Sequence, residues 1–152
     1  MNETELSPNV KKAKDMVADL AKSIGVVENW STDEAESTIN SLLNDWKKLV
    51  EKTESAKSRI FCNQCEKILQ GCVSFQNTIA AKSDSFKAKL KIELKDIFNM
   101  VGDDNETIKG LLEEVIGPGW NDIVQPRLLL LYEISVELET NIRDTIKFAM
   151  SA

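Results

Sequence analysis

The sequence predicts an all-α protein: an elongated antiparallel bundle of five or six amphipathic helices, folded as a single domain over residues 1–152. Apolar residues recur at alternating gaps of three and four along most of the chain, the spacing of a helix face that packs on other helices. Only six Gly and three Pro occur, clustered at a few points, so the segments between them are long. Hydrophobic residues at 42% and charged residues at 29% match an ordinary globular domain, and a chain of this size buries roughly two thirds of its unfolded surface.

The first helix is predicted to start at Ser7 and Pro8, with Ser7 as cap and Pro8 where its missing N–H costs nothing. Val10, Ala13, Val17, Leu20 and Ile24 then share one face, and Gly25 is the expected left-handed stop. Val26, Val27 and Trp30 follow as an apolar connector. Ser31 with Glu34 three residues on reads as a capping box that opens a second helix. Its seam, Ala35, Ile39, Leu42, Trp46, Leu49, Thr53, Ala56 and Ile60, slips by one before Phe61, Cys65, Ile68, Cys72, Phe75 and Ile79 resume the alternation. That slip predicts a break near 53–58, with Ser55 as a cap for a third helix running to about Ala81.

Gly71 inside this third helix reads as a weak point worth up to about 1 kcal/mol relative to Ala. Ser83, Asp84 and Ser85 offer a cap for a fourth helix, although no Gly or Pro separates it from the third. Phe86, Leu90, Leu94, Ile97 and Val101 line its apolar face, and Gly102 closes it. Asp103 to Asn105 form a polar turn that caps a short helix carrying Ile108, Leu111, Leu112, Val115 and Ile116. Gly117-Pro118-Gly119 is expected to break the chain outright. Asn121 and Asp122 start a final helix that tolerates Pro126 only in its first turn, and Leu128–Leu131, apolar on every side, predicts burial all round.

The function classes narrow by elimination. A net charge of −6 supplies few of the phosphate contacts on which nucleic-acid affinity rests, so no nucleic-acid partner is expected. No apolar run approaches the roughly 18 residues of a membrane span. The chain has no His, which removes Ser-His and Cys-His nucleophiles and His-ligated metal or haem. Gly117-Pro118-Gly119 lacks the Lys and Ser or Thr of a phosphate loop, and Glu133 and Glu137, one turn apart, read as solvated charges. No enzyme, cofactor or metal is expected.

Three groups of residues remain as candidates. Cys62, Cys65 and Cys72 carry a C-x-x-C pair that suits a redox thiol, but Cys65 and Cys72 fall on the apolar stripe, where Cys acts as a small hydrophobe. Three Cys in one short stretch suggest reduced thiols and a cytoplasmic protein; the alternative is a secreted chain whose signal peptide has been removed. Lys82, Lys87, Lys89, Lys91 and Lys95, set against only Asp84 and Glu93, make a basic amphipathic stretch fit for an acidic partner or an anionic membrane surface. Its charge also answers the acidic run from Asp103 to Glu114. Trp30 and Trp120, both read as lying in connectors, suit the end of a bundle or the rim of a ligand opening.

The outline of several amphipathic helices in a chain of this size resembles that of talin-rod and spectrin-like interaction modules and of insect apolipophorin carriers. The first resemblance implies a non-catalytic module that binds a protein partner through helix faces or a groove between helices. The second implies a carrier of an apolar small molecule or lipid. A thiol-based sensor is the third reading, and none follows from architecture alone.

Overall fold

The computed structural model describes residues 7–52 and 59–151. Among the described residues the structure is helical almost throughout, with no strand: α1 (Pro8–Thr32), α2 (Glu34–Glu51), α3 (Arg59–Val101), α4 (Glu106–Glu114), a π-helical segment (Val115–Val124) and α5 (Gln125–Ser151). The all-α class therefore stands. The long helices number three, α1, α3 and α5, where five or six were expected.

The difference arises at four predicted boundaries. Gly25 does not end α1, because a Gly inside a helix costs only about 1 kcal/mol and its neighbours Ile24 and Val27 are both buried. The Ser31–Glu34 capping box does not form. Ser31 is fully buried inside α1, and a single turn residue, Asp33, separates α1 from α2 without a side-chain cap. Ser83-Asp84-Ser85 also fails to cap, and α3 runs unbroken for 43 residues because Ile79 and Phe86, both buried, hold the polar stretch on each side. At Gly117-Pro118-Gly119 the chain widens rather than breaks. A wider coil with i→i+5 bonds replaces the α-register, as in the Gln125 N–H donating to the Trp120 carbonyl.

Other expectations hold. α1 begins at Pro8, and Pro126 is the second residue of α5, although Asn121 and Asp122, expected to start that helix, lie inside the π segment and α5 begins at Gln125. Gly102 has φ +82°, open to Gly and costly to other residues, and its N–H donates to the Phe98 carbonyl at 2.8 Å. Asn105 is extended and its side-chain oxygen accepts from the Ile108 N–H at 3.1 Å, the N-cap of α4. α2 ends at Glu51 and α3 starts at Arg59; the cap expected at Ser55 and the seam positions Thr53 and Ala56 lie outside the described residues.

The chain divides into two compact units, one taking residues up to Asn29 and Lys82–Arg127, the other Trp30–Ala81 and the chain from Leu128. In the first unit, α1 and α3 run antiparallel: Asn9 donates to the Met100 carbonyl at 3.4 Å and Lys89 Nζ to Ser23 Oγ at 2.7 Å. Its core joins Val10, Ala13, Val17, Leu20 and Ile24 of α1 to Ile97 of α3 and Ile108 of α4. Phe86 stacks on Trp120, ring centroids 4.1 Å apart.

In the second unit, Phe61, Cys65, Ile68, Leu69 and Cys72 of α3 pack with Leu138 and Ile142 of α5, and Leu42, Trp46 and Leu49 of α2 cover them. α3 and α5 are antiparallel here too, with Gln76 Nε2 donating to Glu139 Oε1 at 3.0 Å. Gly71 has a packing reason that its sequence context conceals, since a Cβ there would meet Leu42 Cδ2 at 2.6 Å. The absent side chain lets α2 and α3 approach.

Candidate functional site

Two surfaces have the properties of a binding site, one in each unit. The first is an open groove of about 520 Å³ in the first unit, within the 300–1,000 Å³ typical of small-molecule sites. α3 contributes Leu94 and Phe98, α4 contributes Leu112, and the π segment contributes Ile116 and Gly117. Lys109, Glu113 and Asn121 stand around this apolar bed. A Cβ added at Gly117 would meet nothing within 4 Å, so that wall is open space. Of the acidic run from Asp103 to Glu114, Glu113 thus lines a cleft, while Asp103, Asp104, Glu106 and Glu114 are exposed outside it.

The second surface is the outer side of α5. Leu128 and Leu131 are buried as expected, but Leu129 and Leu130 are each 57% exposed, which corrects the reading of this run as enclosed on every side. A helix of four successive apolar residues presents them around its whole circumference, and only the inward half finds partners. Tyr132 and Val136, each 38% exposed, extend the outward half, so that Leu129, Tyr132 and Val136 follow at i, i+3 and i+7. Glu133 and Glu137, both exposed, flank them. Sequence periodicity had marked only the inward stripe. The outward one was legible as apolar residues left over once Leu128, Leu131, Leu138 and Ile142 had been assigned to the core.

The five Lys of α3 do not form one surface. Lys87, Lys91 and Lys95 are exposed at i, i+4 and i+8, a true stripe. Lys82 and Lys89 are half-buried on another side of the helix, Lys89 being tied to Ser23.

Neither Trp sits at the rim of these surfaces. Trp30 is half-buried inside α1 and stacks on Phe75 with centroids 6.4 Å apart. Trp120 is 2% exposed against Phe86. The connectors expected to carry the two rings are helical, which turns both rings onto packed faces.

All three thiols are free. Cys65 and Cys72 are fully buried within the core of the second unit, while Cys62 is half-buried. Burial, and then the neighbouring Cys62, pushes the Cys65 thiol up; burial and then Glu139 push the Cys72 thiol up to about 11. Both effects suppress the thiolate on which thiol chemistry depends. Glu139 is held below the ordinary carboxylate range, first by the hydrogen bond from Gln76 and then by Arg143, whose Nε lies 3.1 Å from Glu139 Oε2. Among the described residues no group of three or more metal-ligating side chains converges, and no helix is long and apolar enough to cross a membrane.

The chain matches no protein-family model, and comparison with curated proteins and with solved structures finds no match.

Proposed function

We propose that the protein is a non-catalytic helical interaction module that docks a protein partner on the outward face of α5. The observation that carries this reading is the set Leu129, Leu130, Tyr132 and Val136, large apolar side chains left 38–57% exposed on one stretch of one helix. Single exposed apolar residues are ordinary, whereas a contiguous set rimmed by charge is typical of an interaction surface. A partner helix laying its own apolar stripe along i, i+3 and i+7 is the mode that this spacing suits. Glu133 and Glu137 favour a partner with basic flanks, and the separate stripe of Lys87, Lys91 and Lys95 offers a second surface to an acidic one. The free thiols are compatible with a reducing, cytoplasmic setting.

Size-exclusion chromatography of native extract and retention on the immobilised protein test this reading. The double variant Leu129→Glu, Tyr132→Glu is expected to lose the retained partner, and unchanged retention by a folded double variant contradicts it.

A second reading, a carrier of an apolar small molecule, is favoured by the groove bounded by Leu94, Phe98, Leu112 and Ile116. A thiol sensor has less support, since of its three residues only Cys62 is more than slightly exposed.

A further inference from the structure

We propose that the groove beside the π segment binds a single-chain amphiphile with a zwitterionic head, its two charges read by Lys109 and Glu113. The proposal rests on the carrier reading and specifies its ligand class. Leu94, Phe98, Leu112 and Ile116 form the apolar bed, and a groove of about 520 Å³ accommodates one chain more readily than a folded partner. The π segment carries Ile116, Gly117 and Asn121, and widened helical turns of this kind recur at functional sites.

The class of the head follows from charge. Lys109 and Glu113 both line the groove, one helical turn apart on α4, Lys109 half-buried and Glu113 exposed. Lys before Glu is the weaker order for a pair at i, i+4, and among the described residues neither the Lys109 nor the Glu113 side chain forms an ion pair. The ammonium and the carboxylate at the groove thus each lack a partner there. A purely anionic head would satisfy Lys109 but meet Glu113, with Glu106 and Glu114 on the same helix. A purely cationic head would satisfy Glu113 and meet Lys109. A dipolar head answers both, while the Asn121 amide N–H can donate to its ester oxygens.

The experiment titrates the full chain with dodecylphosphocholine below its micelle concentration, by calorimetry and by amide chemical shifts. Dodecanoate, dodecyltrimethylammonium and dodecyl maltoside serve as anionic, cationic and uncharged comparators. One site is expected, with shifts at Leu112, Ile116 and Gly117 and affinity for the zwitterion about tenfold above each comparator. Lys109→Gln and Glu113→Gln are each expected to weaken it about fivefold to tenfold. Gly117→Leu, whose added side chain enters the groove, is expected to abolish binding. Equal binding of all four amphiphiles overturns the head-group assignment and leaves the carrier reading standing. Binding of none overturns both. Shifts in the wild-type chain confined to residues away from the groove overturn the site, a readout that does not depend on how Gly117→Leu folds.

Discussion

Cys72 is buried in the core of the second unit, where the charge of Glu139 also acts on its thiol, and the chemistry of both is readable in solution. The Cys72 thiol ionises near 9.0 in an unfolded chain and at about 11 in the folded one. A raised folded value means that the stabilising contribution is complete below pH 9 and is lost as the pH climbs towards 11. Comparing urea unfolding of wild type and Cys72→Ala across that window should show the wild type losing stability faster, by up to roughly 1.4 kcal/mol per pH unit. Parallel slopes would contradict the assignment. Glu139 works in the opposite direction: its lowered pKa contributes stability above about 4.5 that is lost as the pH falls through and below that value. A thiol reagent added to native protein should label Cys62 first, with Cys65 and Cys72 following only on unfolding. Simultaneous labelling of all three would refute the burial described. At Gly71, Ala should be close to neutral, its helix propensity offset by displacing the Leu42 methyl. Leu should cost about 1–3 kcal/mol by crowding, as thermal unfolding would register.

Individual elements separate what could be read in the sequence from what could not. Apolar spacing marked two inward faces at the expected residues, Val10 to Ile24 and Phe61 to Ile79, but it also assigned Ile60 to the seam, and Ile60 is 70% exposed at the start of α3. Local stop signals were the weak guide. Asn105 and Gly102 act as predicted because each lies beside a real end of packing, whereas Gly25, Ser31 and Ser83–Ser85 sit between buried residues whose burial outweighs a cap or a flexible backbone. The groove was hidden for a related reason: it needs Gly117-Pro118-Gly119 to continue as a wide helix, and the local sequence reads as a break. The continuity of α3 is open to direct test. Asp84→Pro in mid-helix should cost about 3 kcal/mol or more, but would be tolerated at the first turn of a separate helix. A small effect on denaturant unfolding would restore the predicted break. Asn105→Ala should remove about 1 kcal/mol with the loss of the α4 cap.

At the scale of the whole molecule, core side chains in both units follow the same rule: helices pair antiparallel and bury the stripe that their spacing dictates. Function is proposed for the side chains that this rule leaves over, Leu129, Leu130, Tyr132 and Val136 on α5 and the bed of the groove at Leu94 and Phe98. The most direct measurement places a photo-crosslinking amino acid at position 130 and, as a control, at exposed position 22, then irradiates the protein in its own cells. A single defined adduct from position 130, absent from position 22 and lost when Leu129→Glu is added, is the predicted result. No adduct from position 130, or the same adducts from both positions, would show that the outward face of α5 is not a docking surface.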